Sequence, residues 1–234
     1  MEIVLEIVGA IILAVYLYNL NENRGLVNLI EGTPTTPIGS IKGGLTEIKG
    51  KIVPCEKTIT SPLSRKAAVY LHLIIRQCGL KKSGSRNQWI EHKNMRKGGR
   101  FYVDDGSGRA LVSLHRAKLE LEVDNHRSSG PLSDTPEDFE RCLKGFGLSS
   151  KGLVFNNDFT CEETILEEGD EMYILGEPTK RGDVYCFDGS FGEMFFVSDK
   201  SERKLTEEIR SQMMIETLIC FSALGAIAAY IIFA

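Results

Sequence analysis

The chain has 234 residues and a formal charge of −4, from 28 Lys and Arg against 32 Asp and Glu. That balance excludes a protein that holds nucleic acid through overall positive charge, and the length suits one domain with insertions better than two. The six cysteines stand apart, with no CxxC pair and no His at metal-finger spacing, so they read as free thiols in a reducing compartment, with a single disulfide within the domain as the alternative.

Residues 3–20 form a first apolar stretch, long enough as a helix to cross a hydrocarbon layer of roughly 30 Å at about 1.5 Å of rise per residue. It lacks the positive n-region and the small-residue cleavage site of a secretory signal. It runs out at Tyr16-Leu17-Tyr18-Asn19, whose tyrosines suit a membrane–water interface, and so reads as an uncleaved anchor. Asn21 to Glu31 follows as a short juxtamembrane helix, ended by Gly32 and the Pro34/Pro37 linker.

Residues 38–198 then read as a β domain. Glu47-Ile48-Lys49-Gly50-Lys51-Ile52 alternates charged and apolar, which predicts a strand with one buried and one wet face. Ala67 to Cys78 predicts a long central strand. Phe101-Tyr102-Val103 and Ala110-Leu111-Val112 flank Asp104-Asp105-Gly106-Ser107-Gly108, which predicts a tight hairpin. Leu119, Leu121 and Val123 alternate with Lys118, Glu120 and Glu122 as another strand. Asp134-Thr135-Pro136-Glu137 starts a helix with an acid cap and a proline in its first turn, and Gly145 stops it. Strands resume at Cys161–Leu166, turn at Glu168-Gly169-Asp170 and continue through Met172–Glu177, Val184–Phe187 and Met194–Val197.

Asp199 with Glu202 caps a last helix. Its juxtamembrane part covers 200–212 and its apolar part 213–234, and no Gly or Pro interrupts it until Gly225, so one continuous helix is expected to leave the domain and enter the membrane. Arg24 follows the first span, and Lys200, Arg203, Lys204 and Arg210 precede the second. The positive-inside rule therefore puts the domain in the cytoplasm and both termini across the bilayer. Glu6 and Glu216 fall near opposite membrane faces, where each reaches water. The predicted fold is mainly β with an inserted helix, an OB-like, partly open barrel flanked by two transmembrane helices, with an irregular β-sandwich as the alternative.

A set of short motifs adds to this. Gly39-Ser40-Ile41, Ile48-Lys49-Gly50-Lys51-Ile52, Ser61-Pro62-Leu63-Ser64 followed by Val69-Tyr70, a lone Trp89, Phe101-Tyr102-Val103-Asp104-Asp105 with Gly108, Glu163 with Leu166 and Glu168-Gly169-Asp170, Tyr173-Ile174-Leu175-Gly176-Glu177, and Phe196-Val197-Ser198 together resemble, in order and spacing, the GIDE (beside-a-membrane) domain. In MULAN-type mitochondrial ubiquitin ligases and their plant and prokaryotic relatives, that domain lies between two membrane spans. MULAN-type ligases carry a RING finger after the second span, built from eight Cys/His ligands on two zinc ions. The present sequence reaches Ala234 within that span and holds no such set, so the expectation is a module without ligase chemistry of its own. The mitochondrial domain faces the intermembrane space, whereas charge placement here favours the cytoplasm. With no organelle-targeting peptide, a prokaryotic plasma membrane is the expected home.

No catalytic residue, cofactor or metal site is expected. Asp104-Asp105 and Asp170 sit in Gly-containing turns, where acids serve backbone geometry. His72, His92, His115 and His126 are isolated, and Ser61-Pro62-Leu63-Ser64 is a loop and not a nucleophile elbow. The residual signal is basic. Arg76, Lys81, Lys82, Arg86, Lys93, Arg96, Lys97 and Arg100 surround Trp89 on a predicted strand–loop–strand hairpin, opposed only by Glu91. Arg76, Lys81, Lys82, Arg86, Trp89, Lys93, Arg96 and Lys97 are the expected contact site. Three readings of it are open. One is a solvated hairpin with Trp89 packed on the barrel. Another is a membrane-surface contact, anionic lipid attracting each basic residue by about 1 kcal/mol within a Debye length. The third is an OB-type groove for single-stranded nucleic acid, against which the single Trp and the acidic chain weigh. The expected function is a membrane-anchored interaction or sensing module with an unknown protein partner. The alternatives are a component of a ubiquitin-like transferase system acting with a separate RING or conjugating partner, and an OB-like nucleic-acid binder.

Overall fold

The computed structural model describes residues 2–79, 88–130, 133–152, 156–189 and 194–233. Contacts divide the chain into a helical unit, Met1–Pro34 with Ser201–Ala234, and a β unit, Thr35–Lys200.

The helical unit pairs α1 (Glu2–Gly32) with α3 (Glu202–Phe233). The two run antiparallel: the Tyr16 hydroxyl meets Thr217 Oγ1 at 2.9 Å, and Arg210 Nη2 donates to both oxygens of Glu31 at 2.7 and 2.8 Å. Both bonds leave one nitrogen, so the pair is charge-assisted without being a two-nitrogen fork. No break occurs at Asn21; the first apolar stretch and the segment after it are one helix. At the start of α3, Ser201 Oγ accepts the amide of Lys204 at 3.3 Å, so Ser201 supplies the cap expected of Asp199. Asp199 instead accepts the amide of Glu122 in the β unit.

Among the described residues one helix, Glu202–Ile231, is long and apolar enough to cross a membrane, where the sequence pattern predicts two. α1 carries Glu6 within its apolar stretch and Asn21, Glu22 and Asn23 directly after it.

The β unit holds β1 (Thr46–Pro54), β2 (Ile59–Thr60), β3 (Ala67–Ala68), β4 (Tyr70–Gly79), β5 (Gln88–Gly98), β6 (Arg100–Asp104), β7 (Arg109–Ser113), β8 (Lys118–Glu120), β9 (Asn125–Ser128), α2 (Glu137–Gly145), β10 (Phe159–Leu166), β11 (Glu171–Gly176), β12 (Thr179–Arg181), β13 (Val184–Phe187) and β14 (Phe195–Ser198). An eight-stranded sheet has the order β12-β13-β7-β6-β1-β11-β14-β8, a four-stranded sheet the order β5-β4-β10-β9, and β2 pairs with β3. Both large sheets have free ends, so no closed barrel forms among the described residues, and open sheets take the place of the OB-like barrel. The terminal strands β12 and β8 are three residues long, too short to carry the ladder round. The sheet nevertheless curls. A Cβ on Gly176 of β11 would stand 3.5 Å from Phe187 of β13, four ladders away, and 3.1 Å from Phe195.

Ile48, Ile52, Phe101, Val103, Ile174 and Val197 fill the concave side of the long sheet. The four-stranded sheet lays Leu71, Leu73, Ile75, Phe159, Cys161 and Ile165 against Phe139, Cys142 and Leu143 of α2. β4 is paired on both sides, the central position its apolar run predicts. The β6–β7 turn also forms as read. Asp105 takes the amides of Ser107 and Gly108 and reaches across to the amide of Ile38 at 2.8 Å.

Two further expectations fail. α2 begins at Glu137 with Pro136 at the cap and no side-chain cap, because the proline already fixes the entry angle. Its acids look elsewhere, Asp138 to Arg127 at 3.0 Å and Glu140 to Ser150 Oγ at 2.6 Å. The face of β1 expected to be wet is closed at Glu47, which is 0% exposed. The Tyr173 hydroxyl at 2.7 Å, Thr35 Oγ1 at 2.5 Å and Lys49 Nζ at 3.0 Å satisfy its carboxylate.

Candidate functional site

The basic residues around Trp89 lie on the β4–β5 ladder, and one irregularity decides where they face. Ile75 pairs with Lys93 but Arg76 pairs with Glu91, so His92 is the extra residue of a bulge. Directly opposed side chains share a face. Arg76, Glu91, Trp89 and Cys78 therefore stand with Arg96 and His72 on one side of the sheet. Lys93, Met95 and Lys97 stand on the other, opposite Ile75, Leu73 and Leu71, toward α2. The expected single patch is two. On the first side Arg76 is paired with Glu162 at 3.0 Å, and Trp89 is 47% exposed, not packed on a core. On the second, Lys93 Nζ lies 5.5 Å from the centre of the Phe146 ring, a cation–π contact. Lys81, Lys82 and Arg86 lie outside the described residues.

The second side opens into a cleft of about 280 Å³ lined by Pro62, Arg65, Met95, Lys97, Arg141, Cys142, Gly145 and Phe146. Three of these residues are cations and none is an acid. None of Arg65, Lys97 and Arg141 pairs with a carboxylate among the described residues. The local sequence explains how each arrives. Lys97 comes from β5 after the bulge. Arg141 comes from α2, next to the buried Cys142. Arg65 follows the Ser61-Pro62-Leu63-Ser64 turn with a left-handed backbone, φ 65°.

That turn is a buried clamp and not a plain loop. The Ser61 hydroxyl donates to Glu163 in a very short hydrogen bond and accepts the amides of Leu63 and Ser64, both at 3.2 Å. Asn125 Nδ2 donates to the other Glu163 oxygen at 3.0 Å. Glu163 is 0% exposed, so these donors are what make its burial tolerable. Beneath the cleft the buried Cys142 and Cys161 thiols neighbour each other, and that proximity together with burial pushes the Cys161 thiol up from its ordinary range.

Chemically, the cleft offers positive charge, an apolar floor and a buried thiol. The neighbouring histidines are otherwise engaged: His72 Nε2 bonds Asn94 at 3.1 Å and the His92 ring tilts against Phe159 at 5.9 Å. Among the described residues no group of three or more His, Cys, Asp or Glu could hold a metal ion. Arg65 and Arg141 were not read from the sequence. The only available signals were the position of Arg65 directly after the serine motif and of Arg141 beside an apolar helix position, and neither says what the side chain meets.

The GIDE family model, described as E3 ubiquitin ligase, matches residues 76–230. This chain belongs to the GIDE family. The match opens in β4 at Arg76, takes in Trp89, the bulged β5 and α2, and runs on into α3. The serine clamp and Arg65 precede the matched residues of the GIDE chain. No curated protein matches it, and neither does any solved structure.

Proposed function

We propose that this GIDE chain is a membrane-anchored interaction module, its β unit presented to the cytoplasm by two helices that cross the bilayer and binding a protein partner. One observation carries the reading. The apolar stretch of α3 is only 6% buried, and Leu218, Ile219, Phe221 and Tyr230 are exposed along it. An apolar surface of that length has lipid as its natural solvent. Exposed Ile7, Ile11, Val15 and Leu17 support a second crossing by α1. Arg24, Lys200, Arg203, Lys204 and Arg210 gather on the cytoplasmic side of such a hairpin. The test is alkaline carbonate extraction with reporters fused at each terminus. Retention in the membrane, with both reporters across it from the β unit, is expected; extraction, or termini on different sides, refutes the reading.

The family description favours a second reading, in which the chain supplies the partner-binding part of a ubiquitin-like transferase system. In-cell crosslinking and mass spectrometry separate the two. A RING-bearing or conjugating protein among the crosslinked products selects the second.

A further inference from the structure

We propose that β5 and the cleft beside it bind an acidic polypeptide segment in extended form, which adds to the four-stranded sheet as a fifth strand and seats its carboxylates among Arg65, Lys97 and Arg141. This rests on the reading of the GIDE domain as a protein-binding module, and names the partner's chemistry and the place of contact.

The backbone is the first observation. β5 runs eleven residues from Gln88 to Gly98 with β4 as its single ladder partner. The other ends of the two large sheets, β8, β9 and β12, are three or four residues long. β5 is thus the one long edge among the described residues, and its outward N–H and C=O groups form a row ready to pair. Strand addition at such edges draws affinity from main-chain hydrogen bonds and specificity from alternate side chains.

The second observation is independent, and it is charge. Proteins guard exposed edges with charged side chains, and here the described charges are Lys93, Arg96 and Lys97 against Glu91. In the register centred on Met95, an antiparallel second copy of β5 would set Lys93 against Lys97, which disfavours that self-pairing. An acidic strand meets the opposite sign on both faces. On the α2 side it also meets the cleft, whose three cations have no carboxylate partner among the described residues. Same-face side chains of an added strand recur about every 6.8 Å, so alternate acids would fall along the line from Lys93 past Met95 to Lys97. Arg65 holds its left-handed backbone at the far wall of this cleft. Exposed Trp89 and Ile90 offer an apolar contact on each face at the start of the strand.

The test uses the full chain in nanodiscs of neutral lipid and a short fluorescent peptide alternating Glu and Val. Because Trp89 is the chain's single tryptophan, its emission reports contact at β5 directly. Saturable binding with a change in Trp89 emission is expected. About tenfold weaker binding is expected for the Lys–Val counterpart, and for a Glu–Val peptide N-methylated at alternate amides with its charges intact. The variant Lys93→Glu, Lys97→Glu, Arg141→Glu should switch preference to the Lys–Val peptide, which also shows that it is folded. Equal binding of the N-methylated peptide, or stronger binding of phosphatidylserine vesicles or oligothymidine, overturns the proposal. A photo-crosslinking residue in place of Asn94 should capture the partner in cells. Crosslinks arising only from other surfaces overturn this inference and leave the module reading standing; no protein crosslink anywhere overturns both.

Discussion

Truncating Glu163 to Ala should be among the most damaging single changes in the β unit. The carboxylate is fully buried and takes the Ser61 hydroxyl, Asn125 Nδ2 at 3.0 Å and the Ser64 amide at 3.4 Å. Without it the buried Ser61 donor goes unmet at about 2 kcal/mol, and the half-buried Asn125 amide loses its acceptor at about 1 kcal/mol. The void itself adds roughly 1 kcal/mol. The total is about 4 kcal/mol. In a unit the size of Thr35–Lys200 each kcal/mol moves Tm by about 2–4 °C, so Glu163→Ala should lower it by roughly 8–16 °C. Glu163→Gln keeps the shape and one acceptor, and the Asn125 amide can turn to meet the new NH₂. That change should cost only about 1–2 kcal/mol. Ser61→Ala combined with Glu163→Gln should show a coupling of about 1 kcal/mol, the difference between a charge-assisted and a neutral hydrogen bond, because Gln still accepts from the Ser61 hydroxyl. The assay is thermal unfolding of the full chain in detergent, followed by circular dichroism. A Glu163→Ala variant melting with the parent, or a Gln variant as damaged as the Ala variant, would refute the account of the clamp.

Two other outcomes are expected. Burial pulls the Asp105 carboxyl up, but the Ile38 amide, the Ser107 hydroxyl and amide and the Gly108 amide outweigh it and hold the group below the ordinary carboxylate range. A depressed folded-state value contributes stability that is present above the unfolded value, near pH 4, and is lost as pH falls through the folded one. Asp105→Asn should therefore cost roughly 1 kcal/mol at neutral pH, discounted for solvent exposure, and flatten the acid limb of the stability–pH curve; superimposable limbs would rule this out. Gly98 and Gly106 both have positive φ, 73° and 82°, but a Cβ on Gly98 would lie 2.1 Å from the Val69 carbonyl oxygen while one on Gly106 meets nothing within 4 Å. Gly106→Ala should cost about 1 kcal/mol and Gly98→Ala about 3 kcal/mol or more. Equal costs in denaturant titrations would show that the β4–β5 approach is looser than described.

Local pattern carried much of this fold. The apolar run from Ala67 to Cys78 divides into the short β3 and the doubly paired β4, and Asp104-Asp105-Gly106-Ser107-Gly108 becomes the β6–β7 turn. Gly145 ends α2, and α3 runs without interruption. Each depends on neighbours within a few residues, where side-chain period and backbone preference act directly. Glu47 and Glu163 were beyond that reach. Alternation says which residues share a face of a strand, but not whether Tyr173 and Thr35, or Ser61 and Asn125, will cover it.

The same boundary runs through the candidate site. That a tract of Lys and Arg surrounds a single Trp is plain in the one-dimensional chain. The division of that tract follows from the bulge at His92, because one extra residue turns every later side chain to the opposite face. The cleft joins Arg65 from a turn, Lys97 from an edge strand and Arg141 from a helix. No spacing links these three in sequence. They meet because β10 pairs with β4 and α2 packs beneath both, and such long-range pairing is settled by the total apolar area the sheet and helix bury together.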